Sequence, residues 1–166
     1  MGKISFLNQP VSVVEDTEAE PPGARQHWPT HHQQSCNTQA QQDHFISRDG
    51  KVFAGVHLIL DFWGASRLDD IERMEAAFRE CVAAANATLL HIHLHCFEPN
   101  GGISGVAVLA ESHISVHTWP ERDYAAFDVF MCGDARPENT IPVLQRAFQP
   151  ERITVTEHRR GEVIEG

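Results

Sequence analysis

A chain of 166 residues is long enough for one domain, and a formal net charge of −10 argues against a nucleic-acid partner, which would need a basic face. Hydrophobic residues make up 42% of it. No run of about eighteen apolar residues occurs, which argues against a membrane-spanning helix. The first twenty or so residues lack an apolar stretch followed by a cleavage site and do not read as a secretory leader. Phe6 stands where a myristoylation motif wants Ser or Thr. Cys36, Cys81, Cys96 and Cys132 have no CxxC spacing, and they read as the reduced thiols of a cytoplasmic protein.

Residues 1–50 are rich in Gln, His and Pro and poor in aliphatic side chains. Such a segment cannot bury enough apolar surface to offset its chain entropy, so it reads as a polar, disordered or loosely attached tail. Its histidines, His27, His31, His32 and His44, lack the fixed spacing of metal ligands. The folded domain is expected over 51–166. KVFAGVHLILDFWG (51–64) is a buried strand ended by a glycine. SRLDDIERMEAAFRECVAAANA is a helix, with Ser66 and Asp69 resembling a capping box and Ile71, Met74, Phe78, Val82 and Ala85 on one apolar face. TLLHIHLHCF alternates strictly, which puts His91, His93 and His95 on one side of a strand. EPNGGISG is a turn, and VAVLAESHISVHTW continues as one strand. PERD turns the chain and YAAFDVFMC is the next strand. PENTIPVLQRAF is a short helix, capped by Asn139 or Thr140, with Ile141, Leu144 and Phe148 on its apolar side. RITVTEH is the last strand.

The order is strand, helix, three strands, helix, strand. Strands joined by short turns pair antiparallel. The expected fold is α+β: a two-layer sandwich of a mainly antiparallel sheet covered on one face by two helices. The uncovered face then calls for a partner, which makes a dimer the natural assembly.

Several clusters carry chemistry. Two of the three histidines in HIHLH can share a metal ion, but no carboxylate or thiol completes the set nearby; the plainer reading is a polar sheet face. Ser104, Ser112, His117 and Asp128 are the parts of a serine hydrolase, yet the G-x-S-x-G elbow is absent. Cys132, at a strand end before a glycine, reads first as a small apolar residue and second as a proton donor or nucleophile.

The segment VLAESHISVHTWPERDY (108–124) makes chemical sense as a unit. The Ser112 hydroxyl can attack the carbonyl of Glu111 and turn the amide into an ester. β-Elimination then gives a dehydroalanine, which hydrolyses to a pyruvoyl group at a new N-terminus. The step needs a strained or exposed peptide bond, a donor for the oxyanion and a base for the α-proton. His117 can be the base if the strand bends, and Ser104 can be the donor. The pyruvoyl carbonyl derived from Ser112 would form a Schiff base with an amine and act as an electron sink for decarboxylation, and Cys132 could return the proton.

SGVAVLAESHISVHTWPERDYAAFDVFMCGD closely resembles the prokaryotic S-adenosylmethionine decarboxylase proenzymes, self-cleaving pyruvoyl enzymes of polyamine synthesis. The resemblance runs from about Gly55 to about Gly161. It implies cleavage between Glu111 and Ser112 into residues 1–111 and 112–166. It also implies His117 as the processing proton acceptor, Ser104 as the processing serine and Cys132 as the catalytic proton donor. Glu121 would bind the ribose hydroxyls, and Phe97 and His117 would flank the adenine. The implied assembly is a homodimer of cut protomers with active sites at the interface, acting in the cytoplasm on S-adenosylmethionine for spermidine synthesis, with no nucleic-acid, membrane or metal partner. A relative that decarboxylates arginine or ornithine is the alternative.

Overall fold

The computed structural model describes residues 45–163. The rest of the expected N-terminal tail, with its four histidines and Cys36, lies outside the described residues. The elements are β1 (Ile46–Arg48), β2 (Lys51–Phe53), β3 (Gly55–Trp63), α1 (Ile71–Ala84), β4 (Leu89–Cys96), β5 (Ile103–Leu109), β6 (Ser112–Trp119), β7 (Tyr124–Cys132), α2 (Thr140–Phe148) and β8 (Arg152–Arg160). Short 3-10 turns at Pro120–Arg122 and Pro137–Asn139 precede β7 and α2.

Six strands form one antiparallel sheet in the order β4-β5-β6-β7-β3-β8, and β1 and β2 form a separate hairpin. Alternation decides which face is buried. Val56, Leu58, Leu60 and Phe62 of β3 are buried, as are Ile114 and Val116 of β6 and Ala125, Phe127, Val129 and Met131 of β7. The register sets these residues side by side: Leu58 and Ile114 both face Val129, and Leu60 and Val116 both face Phe127. Met74, Phe78, Cys81 and Val82 of α1 and Val143, Leu144 and Phe148 of α2 close over them. Burial pushes the Cys81 thiol pKa up, which makes it a packing group rather than a reactive one. This is the α+β sandwich expected from the strand pattern. No helix among the described residues is long and apolar enough to cross a membrane.

Four local features differ from the sequence expectation. VAVLAESHISVHTW is two strands, β5 and β6, reversed at Ala110–Glu111. Two-residue hairpin turns usually announce themselves with Gly or Asn, and this one has neither, so the alternation seemed to run on. The first strand is broken at Ala54, whose N–H donates to the Arg160 carbonyl at 2.8 Å. Ile46–Arg48, which falls in the expected tail, pairs with β2 across Asp49 (φ 54°) and Gly50 (φ 73°). Both positive φ values mark a type I′ turn, and the Asp-Gly pair was its signal. Helix α1 begins later than Ser66. Its cap is Asp70, which accepts from the Arg73 N–H at 2.9 Å, while the Ser66 hydroxyl donates to the Phe148 carbonyl at 3.2 Å.

Gly105 lets β4 and β5 approach. A methyl there would sit 2.4 Å from Leu94 Cδ2 and 2.5 Å from the His93 carbonyl. The most connected core ring is Phe127, fully buried, with centroids 5.1 Å from Phe62 and 5.7 Å from Phe148. Phe127→Ala should therefore lower the unfolding free energy by about 3–5 kcal/mol, read from chemical denaturation.

Candidate active site

The face of the sheet opposite the helices carries the polar side chains. Its residues fall in rows across the strands. One row runs His91, Val108, His113, Phe130, His57 and His158; the next His93, Val106, Ser115, Asp128, Ile59 and Thr156; the third His95, Ser104, His117, Ala126, Asp61 and Thr154.

The Ala110–Glu111 turn lies at one end of this face. Ser112, which follows it, has φ 149°. That is a conformation almost confined to glycine, costing on the order of 1–3 kcal/mol for a residue with a Cβ. The Glu111 carbonyl oxygen accepts two hydrogen bonds from Cys132, one from its backbone N–H at 3.1 Å and one from its thiol at 3.0 Å. The Glu111 carboxylate is held by Thr88, whose N–H donates to Oε2 at 2.8 Å and whose hydroxyl donates to Oε1 at 3.1 Å. The scissile bond expected from the sequence is therefore a strained peptide whose carbonyl already faces two donors.

The strain has a useful direction. At φ 149° the Ser112 Cβ lies only about 30° out of line with the Glu111 carbonyl carbon, viewed along N–Cα, because a tetrahedral Cα sets Cβ about 120° from the φ reference. A five-membered ring through Cβ, Oγ and that carbon needs such a near-eclipsed arrangement. In an ordinary strand the same angle is near 120°, and the hydroxyl cannot reach.

Ser104 and His117 are together, but elsewhere. Ser104 Oγ and His117 Nδ1 are 2.7 Å apart, across β5 and β6. His117 lies five residues along β6 from Ser112, roughly 16 Å at the rise of an extended strand. The strand does not bend to join them. Phe97 shares the Ser104 end of the sheet, 48% exposed, with its ring 4.6 Å from that of His95. Glu121 sits exposed in the 3-10 turn that ends β6. Within one chain the sequence-derived residues thus form two groups: Glu111, Ser112 and Cys132 at one end, and Ser104, His117, Phe97 and Glu121 at the other. His91, His93 and His95 line β4, and among the described residues no cluster of three or more His, Cys, Asp or Glu gathers as a metal site.

Sequence reasoning missed Thr88 and the Cys132 N–H, because a contact across 23 residues of chain leaves no local pattern. It also missed a polar network beside Cys132. Asp128 accepts from the Ser115 hydroxyl at 3.3 Å, and its Oδ1 lies 3.3 Å from His57 Nε2. The Arg160 guanidinium stands 3.1 Å from His57 Nδ1. A guanidinium only donates, so Nδ1 accepts and the ring proton is on Nε2, which is buried and makes no hydrogen bond to the described residues. A ring of Phe130 lies 5.7 Å from His57 and 5.9 Å from His113. A side chain on Gly55 would strike this Phe130 ring at 2.7 Å.

Burial, and then the neighbouring His57, hold the His113 pKa below the ordinary histidine value of 6.5, with Asp128 pulling partly back. A histidine whose folded pKa is lowered binds its proton more readily in the unfolded chain. Its contribution to stability is full above about pH 6.5 and is lost as pH falls through the folded pKa. Denaturation midpoints at pH 8 and pH 5 should therefore differ less in His113→Gln than in the unmodified chain.

The S-adenosylmethionine decarboxylase family model matches residues 56–161. The S-adenosylmethionine decarboxylase proenzyme of Thermomicrobium roseum is 46% identical over 112 residues, 67% of this chain and 97% of that protein. The proenzyme of the same name from Methanococcus maripaludis strain S2 is 46% identical over 115 residues, 68% of this chain and 93% of its own length. The crystal structure of the adenosylmethionine decarboxylase from Aquifex aeolicus superposes with a TM-score of 0.61 at 34% identity, covering 69% of this chain and 96% of that one. With a model matched over more than half its length and relatives matched almost end to end, the chain belongs to the S-adenosylmethionine decarboxylase family.

Proposed function

We propose that the chain cuts itself between Glu111 and Ser112 and then works as a cytoplasmic, pyruvoyl-dependent S-adenosylmethionine decarboxylase. One observation carries this: a strained Ser112 follows a carbonyl held by the Cys132 N–H and thiol. Ser112 Oγ adds to the Glu111 carbonyl carbon while both Cys132 donors stabilise the oxygen as charge develops on it. The C–N bond breaks, the hydroxyl proton passes through a base to the departing nitrogen, and the chain continues as an ester. The base then removes the Ser112 α-proton, the Cβ–O bond breaks, and Glu111 leaves as a carboxylate. The dehydroalanine isomerises to an imine, takes up one water and releases ammonia. Residues 112–166 then begin with a pyruvoyl group.

Once formed, the pyruvoyl group engages the substrate amine and accepts the electron pair left by departing carbon dioxide. The Cys132 thiol holds the proton delivered to the substrate carbon. The Glu121 carboxylate suits a ribose diol, and the open Phe97 and His117 rings suit a purine between them. The product is the aminopropyl donor for spermidine synthesis.

His117 is the base of this scheme, and it is too far along β6 to reach Ser112 of its own chain. We infer a homodimer formed through the open sheet face, with the Ser104–His117 end of one protomer against the Ser112 end of the other. The half-exposed Ile59, Trp63, Val108 and Trp119 support this, because they stand on that face and such pairing would bury them.

Intact mass under denaturing conditions tests cleavage: two fragments are expected, the second starting at residue 112 with a pyruvoyl mass, and a single chain would sink the reading. Ser112→Ala should stay whole. Cys132→Ala should still cut, through the remaining N–H, but roughly 10²-fold more slowly, and should lose most turnover. Co-expressed Ser112→Ala and His117→Ala chains should yield cut His117→Ala chain in mixed dimers, which neither variant yields alone. Labelled carbon dioxide should come from S-adenosylmethionine; release from arginine or ornithine instead would reassign the substrate.

A further inference from the structure

A φ of 149° on Ser112 persists only where its surroundings over-determine it. Three sets of contacts do so. The ladder pairs Ser112 with Leu109 across the turn and with Met131 on β7. Cys132 holds the Glu111 carbonyl. The third holder is Thr88, which takes part in none of the bond changes proposed above.

Thr88 grips the turn at three points. Its carbonyl accepts from the Ala110 N–H at 3.0 Å, its N–H donates to Glu111 Oε2 at 2.8 Å, and its hydroxyl donates to Oε1 at 3.1 Å. One residue thus fixes both the backbone ahead of the scissile bond and the side chain of the residue that supplies the acyl group. Its own base is firm. Asn86, with φ 56°, closes α1, the Ala87 N–H donates to the Val82 carbonyl at 3.0 Å, and the Arg136 N–H donates to the Ala85 carbonyl at 2.8 Å. Without the grip, Glu111 could rotate, carrying its carbonyl away from Cys132 and letting Ser112 relax to an ordinary strand conformation. The hydroxyl would then lose its reach to the carbonyl carbon.

We propose that Thr88 is a positioning residue for self-cleavage: it clamps Glu111 so that the Glu111–Ser112 peptide is held in the geometry that lets the ester form. This rests on the self-processing reading. The clamp acts before the chain is cut and has no part in turnover afterwards.

The test follows newly made full-length chain by intact mass, in the unmodified protein, Thr88→Ser and Thr88→Val. Serine keeps all three contacts and should cut within about twofold of the unmodified rate. Valine keeps the shape and the backbone contacts but loses the hydroxyl. It should cut about tenfold more slowly, the rate equivalent of ~1.4 kcal/mol and in the range of one hydrogen bond to a charged group. Added hydroxylamine cleaves an accumulated ester, and it should release no extra fragment from Thr88→Val, because the slowed step is ester formation. Carbon dioxide release per cut chain should match the unmodified protein. Glu111→Gln should also slow cutting, since a carboxamide offers one acceptor to two donors, and adding Thr88→Val to it should cost less than tenfold more. Equal rates in Thr88→Val and the unmodified protein overturn the clamp. So does a hydroxylamine-sensitive ester in Thr88→Val, or turnover per cut chain that falls in step with cutting. An unmodified chain that never cuts overturns the self-processing reading itself, and the clamp with it.

Discussion

A single peptide bond, Glu111–Ser112, concentrates the unusual physics of this molecule. Its carbonyl oxygen is turned onto two donors of one residue, Cys132, and its following residue occupies backbone space that a side chain rarely enters. The sheet makes both possible. Cys132 ends β7 beside the β5–β6 turn because the registers of β6 on β7 and of β3 on β7 are fixed by apolar alternation facing the helices. A slip of one residue would put the whole polar face into the core, so the core in effect sets Cys132 against the Glu111 carbonyl.

The arrangement gives Cys132 two proposed tasks in sequence. Its thiol donates to a carbonyl oxygen before the cut and is the proton source after it. Two histidines stand close to it. His57, with Arg160 on its Nδ1 and Asp128 close to its Nε2, and His113, whose proton affinity is lowered by burial and by His57, stand in the row next to Cys132.

Much of this was legible in the residues alone. The apolar runs gave β3 and β7, strict alternation gave β4, and the spacing of Met74, Phe78 and Val82 gave α1. The chemistry of Glu111, Ser112 and Cys132 could be reasoned from residue types. Two things could not, and a third only in part. The Ala110–Glu111 reversal has no turn-forming residue, so strain takes the place of glycine and appears one position later, at Ser112. Thr88 meets Glu111 only through the tertiary fold. The separation of His117 from Ser112 was readable in part: an odd spacing of five along a regular strand puts two residues on opposite sides, and expecting a bend overrode that parity.

The strand order has a consequence for the life of the cut protein. Scission after residue 111 would put β3 in one fragment while its neighbours β7 and β8 belong to the other, and the same would hold for β5 and β6. The fragments would interlock through three strand ladders, so the cut itself should hardly loosen the fold. The return path would differ. An uncut chain folds as a unimolecular event, whereas two separated fragments must first meet, and one of them brings only β6, β7, α2 and β8. Once unfolded and diluted, the mature form would depend on concentration to come back. Its persistence would then be a matter of unfolding rate rather than of equilibrium.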